Sequence, residues 1–249
     1  MSGNTRNWLI IWGIILSAVL LWTGTWWWQQ PRLPETYSAD AVRGKVVDDG
    51  TGRPVASAIV IAVWELKAPY GLEGHTIAGH MHVAEVLTNN QGEYLVSGWG
   101  PRPRPENTFL EFNAPLIVVF KDGYDFFAAG NWREDRRYSE VQRSDQAGEI
   151  IRLKKFEGDL KERSDRIWRA TISLESILNP NFGAGKCDWL NLPNFVLLLD
   201  KYNKEMATAT MPNALIPGIK QLNPNNICGE FEGVVRPEGG PPTVVVDYM

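Results

Sequence analysis

The chain has 249 residues, enough for one large or two modest domains plus a targeting segment, and carries a formal net charge of −4 with a pI near 5.5. Because no broad basic field is available to hold a phosphate backbone, nucleic acid is excluded as the main partner. The sequence has no Gly-x-Ser-x-Gly, no His-Glu-x-x-His and no phosphate-binding Gly loop, so we predict that the chain is not an enzyme.

Residues 8–28 form an apolar run without a charged residue. At a rise of ~1.5 Å per residue this run spans ~31 Å, which matches the ~30 Å hydrocarbon core of a bilayer. A cleaved signal peptide is the alternative, but the run is longer than a usual h-region and ends in three bulky rings. We therefore predict that residues 1–28 are an uncleaved, single-pass transmembrane signal anchor in the inner membrane. Its interfacial tryptophans would be Trp8, Trp12, Trp26, Trp27 and Trp28.

The charges that flank this run predict its orientation. The α-amino group and Arg6 precede the run, whereas Arg32 and then Glu35 and Asp40 follow it. This small positive-inside bias places the bulk of the chain in the periplasm. Residues 29–41 contain two prolines and few apolar side chains, so they are predicted to be a linker.

Residues 42–156 show the alternation and turn signals of short strands. Two β-rich runs, 45–47 and 58–66, flank a turn cluster at 48–54, and a second turn at 89–92 leads into the alternating run 93–96. Residues 116–120 are a short apolar run typical of a fully buried strand. Residues 68–80 are predicted to be a Gly-rich insertion between strands, and residues 100–106 an exposed extended loop because of their prolines.

The motif over residues 44–62 and 86–95, followed by the Lys-Asp-Gly-Tyr of residues 121–124, resembles the carboxypeptidase regulatory-like domain. That resemblance implies an antiparallel β-sandwich similar to prealbumin, usually a non-catalytic module. With residues 64–66, 82–85 and 98–101 included, the chain is also similar to a group of bacterial envelope proteins. Sandwiches host many activities, so the resemblance points to a fold and a location rather than to a function.

Beyond residue 156 the apolar period changes to that of helices. Apolar residues from Leu160 to Leu178 predict one amphipathic helix with Asp159 near its start, and residues 189–207 predict a second. We expect their apolar faces to be core, with a partner groove as the alternative. The predicted fold class is thus mainly β with α: an N-terminal transmembrane helix, a β-sandwich, and a helical subdomain with an extended tail over residues 157–249.

The two cysteines of the chain are Cys187 and Cys228. Two cysteines permit one pairing, and an oxidising compartment would favour that disulfide. The alternative is that each is a buried thiol.

All three histidines fall in one short stretch, as His75, His80 and His82. On a regular strand His80 and His82 would project from the same face, a geometry that suits Zn²⁺ or Cu²⁺ with His75 or Glu85 as a further ligand. The alternative is that they are polar surface residues and that the chain has no cofactor. A carboxylate pair of Glu65 and Glu85 is a further open possibility.

We predict that the chain is a structural or scaffold module that contacts other envelope proteins, with the role of an accessory subunit in a larger membrane complex as one form of this prediction. The alternatives are a metal-binding role at the histidines and a sandwich that binds glycan through Trp64, Tyr70 or Trp99. The Pro-Arg segment is either a partner ridge or a spacer, and the C-terminal valine run could add a strand to a sheet edge. The predicted partner-contact residues are Arg102, Arg104, Val244, Val245 and Val246.

Overall fold

The computed structural model describes residues 12, 15–17, 33–70, 74–131, 138–179, 187–208, 222 and 228, without the side chains of residues 69, 70, 74 and 75. The chain divides into two compact units, Met1–Leu33 and Pro34–Met249. In the first unit, residue 12 and residues 15–17 are helical, and Trp12 is exposed. Most of the predicted span, including Trp8 and residues 26–28, lies outside the described residues. In the described part of the chain, no helix combines the length and the apolar character needed to cross a membrane.

The described residues of the second unit form eleven strands arranged in three sheets. The strands are β1 (Thr36–Ala39), β2 (Val42–Asp48), β3 (Ile59–Tyr70), β4 (Gly74–Leu87), β5 (Glu93–Val96), β6 (Trp99–Pro103), β7 (Phe109–Leu110), β8 (Leu116–Phe120), β9 (Phe127–Ala129), β10 (Val141–Gln142) and β11 (Ile150–Leu153). Their orders are β10-β1-β6, β11-β2-β5 and β4-β3-β8-β9, and β7 also pairs with β3. The predicted buried strand 116–120 is β8.

Alternate residues of β3 enter two different hydrophobic cores. Val60, Ala62 and Trp64 pack with residues of all three sheets in a sandwich core. Ile59, Ile61 and Val63 pack instead against helical residues on the opposite face. Because both faces of β3 are covered, its sequence is a nearly continuous apolar run. The predicted mainly-β class with helices is confirmed, and the arrangement of the sheets is consistent with a β-sandwich.

The helical layer consists of α1 (Leu160–Ser173), α2 (Glu175–Leu178), a 3₁₀ helix (Asp188–Asn191) and α3 (Pro193–Thr208). A capping box starts α1: Asp159 accepts a hydrogen bond from the Glu162 N–H, and the Glu162 side chain accepts one from the Asp159 N–H. The first predicted helix is divided at Leu174, which has φ −116° and ψ 19° and is fully buried. The predicted apolar faces are core, since residues of these helices pack on the outer face of β3.

Cys187 and Cys228 form a disulfide across a sequence separation of 41 residues. This confirms the predicted pairing. Cys187 lies immediately before the 3₁₀ helix, so the bond fixes the point at which the chain enters the second half of the helical layer.

Three segments differ from their predictions. Residues 36–39, predicted as part of the linker, form β1, because the fully buried Tyr37 anchors them in the sandwich core. Of residues 68–80, predicted as an insertion, residues 68–70 continue β3 and residues 74–80 belong to β4, and the two strands pair with each other. Residues 99–103, predicted as a loop over most of their length, form the edge strand β6, where Pro101 and Pro103 are tolerated because one side of the strand needs no donors.

Candidate functional site

A β-bulge at Met81 separates the two histidines that were expected to lie together. Trp64 pairs with His82 and Glu65 pairs with His80, so Met81 is an extra residue in β4. Because a bulge interrupts the alternation of side chains, His80 and His82 contact different neighbours on opposite faces of the sheet. The prediction that they share one face is wrong.

Among the described side chains, His80 and His82 do not come together as the predicted zinc or copper site. Both ring nitrogens of His80 are held by protein side chains, and His82 packs among aromatic rings. Met81 is buried in the sandwich core, and the His75 side chain lies outside the described set. Within the described residues, no group of three His, Cys, Asp or Glu side chains is placed to hold a metal ion.

His80 lies at the centre of a hydrogen-bonded relay with Ser176 and Asp188. Its Nδ1 is 2.6 Å from Asp188 Oδ2, and its Nε2 is 3.0 Å from Ser176 Oγ. Both bonds form when Nδ1–H donates to the carboxylate and Nε2 accepts from the serine hydroxyl. The three residues come from β4, α2 and the 3₁₀ helix, and they meet where the sheet contacts the helical layer.

The relay becomes progressively more exposed from its centre outward. The His80 side chain is 1% exposed, Ser176 is 8% exposed, and the Asp188 side chain is 30% exposed. A buried imidazole is stable only with its polar atoms satisfied, and here both nitrogens have partners. Sequence reasoning identified His80 but missed Ser176 and Asp188, which lie 96 and 108 residues away from it along the chain. No local motif marks either residue.

His82 belongs to an aromatic cluster inside the sandwich. Its ring centroid lies 5.6 Å from that of Trp64 and 5.8 Å from that of Trp99, and the Arg102 guanidinium lies 5.4 Å from the Trp99 ring centroid. Burial lowers the pKa of His82 below its ordinary value, and the positive charge of Arg102 lowers it further. Both effects favour the neutral form of the His82 imidazole.

The tryptophans predicted as a glycan platform do not present one. Trp64 is 0% exposed and Trp99 is 8% exposed, so neither ring face is open for a sugar to stack on. The Tyr70 side chain lies outside the described residues.

The predicted contact arginines have different roles. Arg102 is exposed, and its Nη1 donates a hydrogen bond of 3.0 Å to the carbonyl of Met81 at the bulge. Arg104 is engaged within the fold: its Nε donates to the Pro34 carbonyl and its Nη1 to the Thr108 carbonyl, each at 2.8 Å. The valine run 244–246 lies outside the described residues.

The two carboxylates considered as a pair have separate partners. Glu65 forms an ion pair with Lys67 two residues away on β3. Glu85 accepts hydrogen bonds from the backbone N–H groups of Asn194 and Phe195 and from the Asn194 side chain, at 2.7–2.9 Å. Burial raises the pKa of Glu85, and these hydrogen bonds oppose that rise. Glu85 thus caps the N-terminus of α3 from a neighbouring strand.

No protein-family model matches the chain, and no curated protein matches it significantly. Among solved structures it is similar to 3-chlorocatechol 1,2-dioxygenase from Rhodococcus opacus 1CP, at 14% identity and a TM-score of 0.27, over 51% of this chain and 63% of that one. Hydroxyquinol 1,2-dioxygenase from Pseudomonas putida DLL-E4 matches at 13% identity and 0.27, over 50% of this chain and 58% of that one. The C-terminal domain of the shaft pilin spaA from Lactobacillus rhamnosus GG matches at 11% identity and 0.23, over 49% of this chain and all of that one.

The chain spans about three fifths of the length of the two dioxygenases. The prediction that the chain is not an enzyme is contradicted by these matches, since structures of enzymes are among those it resembles. Identities and TM-scores this low carry no argument about its substrate, cofactor or mechanism.

Proposed function

We propose that the chain is a membrane-anchored envelope protein whose periplasmic sandwich binds another envelope protein. The tryptophan-flanked apolar run of residues 8–28 supports the anchor. The disulfide between Cys187 and Cys228 supports an oxidising compartment such as the periplasm.

The observation that carries the binding role is the long hairpin of β3 and β4. Over Ile59–Val63 and Leu66–Lys67, β3 pairs with β4 on one side and with β8 or β7 on the other. Among the described residues, the stretch from Ala68 to Tyr70 pairs only with Gly74 to Thr76, so this end of the hairpin is a two-stranded arm. Both outer edges of such an arm carry backbone donors and acceptors that an added strand can pair with.

Arg102 defines where the available edge of β4 ends. Its guanidinium donates a hydrogen bond to the carbonyl of Met81, the bulged residue. Bulges and cationic side chains are common means of closing a strand edge against further pairing. The part of β4 left for a partner strand is therefore Gly74–Ala78, where Thr76 is exposed.

Site-specific photocrosslinking tests this proposal. A photoreactive amino acid at Thr76 should capture a discrete partner protein in the native membrane, and the same partner should copurify after mild detergent extraction. The matched control is the same amino acid at Arg152, an exposed position on β11 in a different sheet. An adduct that forms equally from both positions, or from neither, would refute binding at the arm.

A further inference from the structure

We propose that Ser176 and His80 form a nucleophile and general-base pair, oriented by Asp188, that transfers small acyl groups from esters to water. This activity is independent of the binding role proposed for the arm. It follows from the order of the three groups in the relay, because carboxylate, imidazole and hydroxyl are arranged as in acyl-transfer enzymes of unrelated folds.

The hydrogen bonds fix the state in which the imidazole is reactive. With Asp188 at 2.6 Å accepting the Nδ1 proton, the lone pair of Nε2 is directed at the Ser176 hydroxyl 3.0 Å away. A general base must lie within about 2.6–3.2 Å of the proton that it removes, and His80 meets this condition. The carboxylate also stabilises the imidazolium that forms when the proton is taken.

The frame around the relay is rigid. Ser176 is followed by the buried Ile177 and preceded by a turn at the fully buried Leu174. Asp188 lies between the disulfide-bonded Cys187 and the buried Trp189. Catalytic groups held by packed neighbours keep the alignment on which rate depends, and a disulfide beside one of them limits its movement.

Burial determines the class of substrate. Ser176 keeps 8% of its accessible surface, and the more exposed Asp188 lies on the other side of the His80 ring. Because so little of Ser176 is accessible, a bulky acyl group would have no room beside the serine oxygen. The structure therefore favours short acyl groups, such as acetyl, carried on a good alcohol leaving group.

The reaction balances with the groups present, an ester and water. Ser176 Oγ forms a bond to the acyl carbon as its proton passes to His80 Nε2. The alcohol oxygen leaves and takes that proton from the imidazolium, which gives the acyl-serine. Water then attacks the acyl carbon with His80 as base, and the carboxylic acid departs as the proton returns to Ser176.

Labelling with a fluorophosphonate probe tests the nucleophile on the full purified chain. In the wild-type chain, Ser176 should displace fluoride from the probe and carry close to one phosphonyl group per chain, which peptide mass spectrometry would identify. Ser176→Ala should label at less than a tenth of that level, and hydrolysis of p-nitrophenyl acetate should fall in parallel. Ser173→Ala is the matched control, because Ser173 is a half-buried hydroxyl at the end of the neighbouring α1, its Oγ donates to the Arg169 carbonyl, and the variant should label like wild type. A wild-type chain without label on Ser176, or labelling that survives Ser176→Ala, would overturn the proposal.

Asp188 is tested as a positioning residue by paired variants. Asp188→Asn cannot hold the same tautomer and should slow labelling about 100-fold or more, within the range for general-base catalysis. Asp188→Glu restores a carboxylate and should recover part of the rate. Circular dichroism confirms that both variants remain folded. If both label at the wild-type rate, or if Glu recovers nothing while folding is intact, the relay is structural and the proposal fails.

Discussion

Replacing Glu85 by alanine should destabilise the fold by about 2–4 kcal/mol. The carboxylate of Glu85 accepts from the N–H groups of Asn194 and Phe195, the second and third residues of α3, where an N-cap side chain would normally do so. Loss of a cap costs about 0.5–2 kcal/mol, and a hydrogen bond to a charged group contributes about 1.5–3 kcal/mol. These contributions overlap, so the expected total is below their sum.

Urea unfolding followed by tryptophan fluorescence measures this difference. The shift in midpoint, multiplied by an unchanged m-value, gives the change in the free energy of unfolding. Glu85→Gln retains one carbonyl oxygen and should lose about half as much. The control Glu157→Ala removes an exposed carboxylate and should stay within about 0.5 kcal/mol of wild type. A Glu85→Ala variant that unfolds like this control would refute the capping role.

The same residue predicts the sign of a pH dependence. Burial raises the pKa of Glu85 in the folded state above its value in the unfolded chain. The folded protein then binds more protons than the unfolded one between the two pKa values, so the part of the stability that is linked to protonation of Glu85 is present below the unfolded pKa and is lost as pH rises through the folded pKa. Urea unfolding of wild type and of Glu85→Gln at several pH values in that interval measures this contribution. As pH rises, the free energy of unfolding of wild type should fall relative to that of Glu85→Gln.

Two further predictions concern the disulfide and the location of the chain. The double variant Cys187→Ser with Cys228→Ser should lose about 4 kcal/mol of stability, because the disulfide closes a loop across 41 residues and so lowers the entropy of the unfolded chain. Urea unfolding of the variant and of wild type under oxidising conditions measures this loss. Unfolding midpoints that coincide would contradict the prediction. A reporter that is active only outside the cytosol, fused after Met249, should be active in cells, whereas activity confined to a cytosolic reporter at the same position would exclude the proposed orientation.

The features that could be predicted from sequence are those that local pattern determines. The apolar run at 116–120 is β8, and Asp159 caps α1 because its side chain reaches an N–H three residues ahead. The disulfide could be predicted because two cysteines permit only one pairing. The helical faces were expected to be core, and Ile167 and Leu199 are indeed buried against the sheet.

The candidate site could not be predicted because register decides it. One extra residue at Met81 moves the His80 side chain to the face opposite that of His82, and no residue type marks such a bulge. Ser176 and Asp188 reach His80 only through the packing of helices onto the sheet. The prolines of β6 were read as a loop because a sequence does not reveal that a strand lies at an edge.

The bulge also explains how the helical layer is attached to the sandwich. His82 joins the aromatic cluster, whereas His80, before the bulge, and Glu85, three residues after His82, face the helices and bind their polar groups. A regular strand would have sent His80 and His82 to the same face, leaving either the relay or the aromatic cluster without its central ring. Gly79, with φ +130° in a region that residues with side chains rarely adopt, lies between His80 and the two-stranded arm. The strand β4 therefore carries both the edge proposed for a partner and the His80 side chain. A partner strand that pairs with Gly74–Ala78 would lie one residue along the backbone from Gly79 and two from His80.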